Sequence, residues 1–234
     1  MKVSVIIPAA GLGTRMAAAA RDKKPAASKQ FTDLAGTPIL IHTLRKFVAV
    51  PEVSEIWIAL RKQEMGEFRD RLRSDGNDVA QKKVELVEGG EHRQESVANA
   101  LAAISAAAGD IVLVHDAVRP FVTQEIIQEV IEAAQKYGAA IAGLPAVDTV
   151  KQVERTAEGA LITATVPRER VVLAQTPQGF RYEILKKAFD EATADGFLGT
   201  DEASLVERSG KEVAVVMGSR RNIKITTPAD MELA

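Results

Sequence analysis

Val3-Ser4-Val5-Ile6-Ile7-Pro8-Ala9-Ala10-Gly11-Leu12-Gly13-Thr14-Arg15-Met16 decides how the rest of the chain is read. A β-branched run that breaks at a proline and passes into small residues and two glycines is a buried strand delivering the chain to a tight loop. Ile56 to Leu60, Val84 to Val87, Ile111 to His115 and Ala139 to Leu144 repeat the run, each reading as a strand buried on both faces. Between them Ile39 to Val48, Gln63 to Arg73, Arg93 to Ala107 and Thr123 to Tyr137 carry apolar residues at helical spacing. Strand alternating with helix predicts right-handed crossovers and an α/β, Rossmann-like, doubly wound and mostly parallel sheet. Such sheets bind ligands beyond the carboxyl ends of their strands.

From Pro145 the rhythm changes. Val147 to Glu154 and Ala160 to Val166 alternate apolar and polar residues around Glu158-Gly159, the pattern of a hairpin, so an arm over residues 146–170 is expected to protrude from one domain spanning 1–234. Beyond it, Tyr182 to Thr193 and Asp201 to Ser209 read as helices and Glu212 to Met217 and Asn222 to Ile225 as strands. Thr227-Pro228 opens a last helix with proline in its first turn. The 234 residues are 46% hydrophobic and 26% charged, with 30 Lys+Arg against 32 Asp+Glu and no cysteine. That balance argues against a general nucleic-acid or membrane-surface binder, and no disulfide or thiolate metal site exists. No 18-residue apolar span or signal peptide is read, so a cytoplasmic protein is expected.

Three places collect chemistry. The loop Ala9 to Arg15 brings backbone N–H groups near an anion, with Arg15, Arg21, Lys23, Lys24 and Lys29 following to neutralise a polyphosphate. It lacks the third glycine of the dinucleotide fingerprint and the Gly-Lys-Ser/Thr of the Walker loop. After the fourth strand, His115-Asp116-Ala117-Val118-Arg119-Pro120 puts a carboxylate suited to Mg²⁺ beside an arginine suited to an anion, with His115 placed to orient Asp116. Read alone, Asp116 is more often a helix cap or turn residue and Arg119 a surface ion pair. Arg168, Gln175-Thr176-Pro177-Gln178 and Asn222-Ile223-Lys224 are further candidates, although Lys224 also reads as a residue snorkelling from an edge strand. The three histidines have no metal-cluster spacing, and no serine elbow occurs.

Seven blocks in order carry a resemblance. Pro8 to Met16, Ser28-Lys29-Gln30-Phe31, Glu88-Gly89-Gly90-Glu91-His92-Arg93-Gln94-Glu95-Ser96-Val97, Val114 to Pro120, Gln175 to Gln178, Gly199-Thr200-Asp201-Glu202-Ala203-Ser204 and Asn222 to Thr226 resemble those of the 2-C-methyl-D-erythritol 4-phosphate cytidylyltransferase family. The resemblance implies a nucleotidyltransferase fold whose protruding arm embraces a second subunit, giving a homodimer. It implies transfer of a cytidylyl group from CTP to 2-C-methyl-D-erythritol 4-phosphate with release of pyrophosphate, in the non-mevalonate route to isoprenoids, with Mg²⁺ as the metal.

Carried onto this chain, the resemblance assigns CTP to Ala9, Ala10, Gly11, Gly13, Thr14, Arg15, Lys29, Gly90, Glu91, Arg93, Ser96 and Asp116. Arg15, Lys29 and Lys224 become the catalytic cations and Asp116 the metal residue. The second substrate falls to Asp116, Arg119, Thr149, Arg168, Thr176, Thr200 and Lys224, with Thr149 and Arg168 supplied by the partner's arm. The stretch from Arg15 to Lys29 is long, so Lys23 and Lys24 are alternatives to Lys29, which is favoured because Gln30-Phe31 follows it. A ribitol-5-phosphate cytidylyltransferase is the nearest rival, but its first loop usually reads Ala-Gly-Gly and its late block resembles Ser-Asp-Ala. A non-catalytic nucleotide-binding module is a further rival. It is disfavoured because Arg15, Lys29, Asp116, Arg168 and Lys224 are all present.

Overall fold

The structure, a computed structural model, describes residues 1–11, 28–157 and 159–234. Its centre is a seven-stranded sheet. The strands are β1 (Val3–Pro8), β4 (Val53–Leu60), β5 (Lys83–Glu88), β6 (Ile111–Val114), β7 (Ala139–Pro145), β10 (Val172–Arg181) and β11 (Ala214–Met217). The spatial order is β11-β7-β10-β6-β1-β4-β5. β1 pairs parallel with both β4 and β6, β4 with β5, and β7 with β11, while β10 runs antiparallel between β6 and β7. The chain leaves β1 toward β5 and returns on the other side at β6, so the order reverses between β1 and β6. The carboxyl ends of those two strands are where a doubly wound sheet opens a crevice.

Side-chain alternation along the strands builds two cores. Val3, Val5 and Ile7 of β1, with Ile111 and Leu113 of β6, face one layer. That layer holds α1 (Ile39–Val48), α2 (Met65–Asp75) and α4 (Gln124–Tyr137) through Leu40, Ile41, Leu44, Phe47, Phe68, Ile127 and Ile131. Ile6, Val112 and Val114 face α3 (Arg93–Ala103), α5 (Tyr182–Ala194) and α6 (Glu202–Arg208) on the opposite side. The helices are bounded as their sequence demands. Thr123 accepts the Ile126 N–H at the start of α4, and Gly138 ends that helix at φ +92°, where a side chain would be strained.

A small ladder, β2 (Asp33–Leu34) and β3 (Thr37–Pro38), leads into α1. The arm is a separate ladder of β8 (Val150–Thr156) against β9 (Gly159–Val166), exposed along almost its whole length. α7 (Pro228–Leu233) is capped by Thr227 and by Asp230, which accepts three hydrogen bonds from Thr226 and Thr227.

Three sequence expectations are corrected. Asn222 to Ile225 is not a strand but an irregular segment, tied down by backbone bonds from Asn222 N–H to Ser219 O at 3.0 Å and from Ile225 N–H to Val118 O at 2.9 Å. Val84 to Val87 is only half-buried, because β5 lies at the edge of the sheet. β10 is a central strand that the pattern did not announce: Gln175-Thr176-Pro177 interrupts its register with β7, and proline cannot donate to a ladder.

Candidate active site

Asp116 sits immediately beyond β6, its side chain 8% exposed, with three cations around it. Arg93 Nε lies 3.4 Å from Oδ1, while Arg119 Nε at 3.1 Å and Lys224 Nζ at 2.9 Å share Oδ2. Burial works to raise the carboxyl's pKa, but Arg93, Lys224 and Arg119 together hold it well below the usual carboxylate range. Lys224 is therefore an ion-pair partner at the centre of the site, not a snorkelling edge residue. Arg93 reaches the other way to Glu202, fully buried at the start of α6, through Nη1 at 2.7 and 3.0 Å. Burial pushes the Glu202 carboxyl up against the pull of that arginine.

His115 does not touch the Asp116 carboxylate, contrary to the sequence expectation. Its Nε2 donates to Arg119 O at 3.1 Å, so its Nδ1 accepts from the Thr176 hydroxyl at 3.1 Å. Thr176 Oγ1 in turn accepts the Asp116 N–H at 3.1 Å. Burial pushes His115 down to about 4, and with both ring nitrogens engaged inside the protein it faces no cleft as a base.

Two clefts meet at this cluster. One runs along the end of β1 over Ala9, Ala10 and Gly11, past Lys29, to Gly90, Glu91, Arg93 and Ser96. The other is floored by Arg119, Thr176, Gln178 and Thr200. Arg93, Asp116 and Lys224 line both. The first cleft is shaped by close backbone approach: a Cβ on Gly89 would lie 2.4 Å from Ala10 Cβ, and one on Gly90 2.3 Å from Glu95 Cβ. Ser96 braces this loop from beneath, accepting the Gly90 N–H and donating to His92 O, both at 3.1 Å. Gln30, buried beside Lys29, donates to Ala9 O at 2.5 Å and ties the residue after the lysine to the end of β1.

Of the residues named from the sequence, Ala9, Ala10, Gly11, Lys29, Gly90, Glu91, Arg93, Ser96 and Asp116 come together on the first cleft. Asp116, Arg119, Thr176, Thr200 and Lys224 come together on the second. Thr149 and Arg168 do not join them. Thr149 is exposed at the base of the arm, and Arg168 donates to Val147 O at 2.8 Å. Gly13, Thr14 and Arg15, with Lys23 and Lys24, lie outside the described residues.

The structure adds Glu202, which sequence reasoning did not single out, and gives a role to Gln178, which the sequence offered only as a polar candidate. Glu202 anchors Arg93. Gln178 donates to Asp201 Oδ2 at 2.8 Å and accepts the Ala203 N–H at 3.0 Å, which fixes the segment carrying Thr200. Both act across long sequence separations, and their local signals are only a first-turn acid and a polar strand residue. Among the described residues no group of three or more His, Cys, Asp and Glu is arranged to hold a metal. Among the described residues the site offers cations around an ionised Asp116 and no activated nucleophile, and that arrangement suits positioning and charge stabilisation of phosphates.

Comparison with known proteins gives a consistent result. Residues 3–234 match the family described as IspD: 2-C-methyl-D-erythritol 4-phosphate cytidylyltransferase. A relative of that name from Acidobacterium capsulatum is 60% identical, covering 100% of this chain and 96% of its own. One from Solibacter usitatus is 53% identical, covering 100% and 94%. The crystal structure of the 2-C-methyl-D-erythritol 4-phosphate cytidylyltransferase of Francisella tularensis superposes with a TM-score of 0.81 at 36% identity, covering 100% of this chain and 98% of that one.

Proposed function

The chain belongs to the 2-C-methyl-D-erythritol 4-phosphate cytidylyltransferase family, and from that premise we propose how its two clefts share the reaction. The activity is transfer of the cytidylyl group of CTP to 2-C-methyl-D-erythritol 4-phosphate, giving 4-diphosphocytidyl-2-C-methyl-D-erythritol and pyrophosphate, a nucleotidyltransferase step of isoprenoid biosynthesis. In our reading CTP lies along the Ala9–Gly11 and Gly90–Ser96 cleft, and the methylerythritol phosphate lies over Arg119, Thr176 and Thr200. The observation that carries this is the sharing of Arg93, Asp116 and Lys224 by both clefts, which supports a meeting point for the attacking phosphate and the α-phosphorus.

The attacking oxygen belongs to a phosphate that is already anionic, so no general base is needed and none is assigned. Attack in line on the α-phosphorus expels pyrophosphate and spreads charge over oxygens that Lys29, Lys224 and Arg15 are assigned to face. Arg93 and Arg119 neutralise the approach of two anionic reactants. Asp116 is the residue we assign to Mg²⁺. Its fit rests on Oδ1, whose contact is the long 3.4 Å approach of Arg93, and on the preference of Mg²⁺ for one or two carboxylates with phosphate oxygens. When bound there it would draw charge from the phosphates.

We read residues 1–234 as one domain with the arm, residues 146–170, as an insertion. We also read the protein as a homodimer in which each arm carries Thr149 and Arg168 to the partner's substrate cleft. Support comes from Leu161 and Ile162, each 65% exposed on the arm, apolar area that a second subunit would cover. No described helix is long and apolar enough to cross a membrane, no nucleic-acid partner is assigned, and the reading places the enzyme in the cytoplasm with its nucleotide substrate.

Pyrophosphate release from CTP and Mg²⁺ is expected with methylerythritol phosphate. Release with ribitol 5-phosphate alone would overturn the assignment. Lys29→Ala is expected to lower turnover by about 10²- to 10³-fold while CTP affinity changes far less, because its charge is needed most where negative charge develops. Single-turnover kinetics alongside CTP titration checks this, and turnover within twofold of the parent would remove Lys29 from the mechanism.

A further inference from the structure

Asn222 lines neither cleft and is fully buried, yet four groups of the substrate-side cleft depend on its segment. Its Nδ2 donates to Thr176 O at 2.8 Å and to Gln175 Oε1 at 3.3 Å. Its main-chain oxygen accepts Arg119 Nη1 at 2.7 Å, and Lys224 follows two residues later. Gln175 closes the arrangement from the other side, donating to Ser219 O at 2.9 Å and accepting Ser219 N–H at 3.2 Å. The turn presses so close that a Cβ on Gly218 would lie 2.4 Å from Gln175 Oε1.

The choice of asparagine is explained by its two N–H donors on a short side chain, which meet two acceptors. An aspartate would bring a carboxylate against both, and alanine would leave both unpaired. Asn222 Oδ1, in contrast, is buried with no partner among the described residues. An amide kept there at the cost of an unpaired oxygen is kept for its donors.

We propose that Asn222 is a positioning residue: its amide clamps the 218–224 segment to Gln175 and Thr176, and through that clamp sets where Arg119 and Thr176 stand in the substrate-side cleft. The inference rests on the reading that this cleft takes the polyol phosphate. Asn222→Ala is expected to raise KM for 2-C-methyl-D-erythritol 4-phosphate about tenfold while KM for CTP stays within about twofold, since Arg119 and Thr176 line only the second cleft and Lys224, which lines both, is held separately by Asp116 Oδ2 at 2.9 Å. A part that only supports the fold would lower thermal stability and move both constants together, or neither.

Combining Asn222→Ala with Arg119→Lys separates the inference from the reading beneath it. If Asn222 acts through Arg119, the double variant loses no more than Arg119→Lys alone, whereas independent effects multiply and overturn the proposal. If Arg119→Lys alone leaves KM for methylerythritol phosphate unchanged and raises that for CTP, the cleft assignment is what fails. Should Asn222→Ala not fold, Gln175→Leu opens the same clamp from the opposite side and carries the same expectation. Should neither fold, the clamp is a folding element and the proposal is wrong.

Discussion

Three cations, Arg93, Arg119 and Lys224, face two buried carboxylates, Asp116 and Glu202, leaving one positive charge in surplus where phosphates are to be received. Removing Glu202 tests what holds Arg93 there. Glu202→Leu leaves the guanidinium with only the 3.4 Å contact to Asp116, and breaking a buried pair from one side costs about 3 kcal/mol. Urea unfolding is expected to show that loss, and kcat/KM is expected to fall for both substrates because Arg93 lines both clefts. A stability loss with intact kinetics would mean that Asp116 alone positions Arg93. Asp116 and Arg119 were legible in the sequence because they stand in one compact block beyond β6, and Thr176 and Lys224 because they stand in short polar stretches, whereas Thr200 was reached only through the family resemblance. The roles of Glu202, Gln178 and Gln30 were not legible, since each is explained by a partner brought near only by folding: Glu202 meets Arg93 across 109 positions. Asp116 shows the limit from the other side, as its neighbours in sequence suggested His115 as its orienting group, whereas the fold supplies Thr176 to its main-chain N–H and Arg93, Arg119 and Lys224 to its carboxylate.

β1, β4 and β5 are joined at their amino ends by a polar knot far from the clefts. Glu55, 3% exposed, accepts from Ser4 Oγ and Trp57 Nε1, both at 2.9 Å, and is met by Lys2 at 2.8 Å and Lys83 at 3.4 Å. Burial works against its ionisation, but the Lys2, Trp57 and Ser4 hydrogen bonds hold its pKa at about 2, below the ordinary 4.5. A carboxylate whose folded pKa is depressed stabilises the fold fully above the unfolded value and loses that contribution as pH falls toward the folded one. Lys2 and Lys83 face solvent, so the contribution is taken as roughly 2 kcal/mol rather than the full linkage value. Glu55→Gln is expected to unfold more easily at pH 7, with the gap to the parent narrowing between pH 4.5 and pH 2 in denaturant titrations. A gap that stays constant over that window would show that the charge contributes nothing. At this scale the parallel strands were readable from unbroken β-branched runs. β10 was not, because Gln175, Pro177 and Gln178 break its pattern, and Asn222 to Ile225 looked like a strand because Ile223 and Ile225 flank Lys224 at a strand's spacing, although no neighbouring strand pairs with it.

The arm was readable from alternation alone, since a hairpin exposed on both faces keeps the period of two without any core to obscure it. In the proposed homodimer its purpose lies beyond one chain. Lys29 stands on a subunit's own nucleotide cleft, whereas Arg168 stands on the arm, outside the clefts of its own subunit. If the arm completes the partner's site, each active site takes Lys29 from one subunit and Arg168 from the other. Homodimers of Lys29→Ala and of Arg168→Ala then lack every complete site. A heterodimer of the two variants, prepared by co-expression with different affinity tags, places both substitutions in one site and leaves the second intact. Closed two-fold symmetry therefore sets its expected turnover at about half the parental value, against almost none for either homodimer. If Arg168 served its own subunit, each heterodimer site would carry one substitution and turnover would remain at the level of the homodimers. Pyrophosphate release by the purified heterodimer distinguishes the two arrangements.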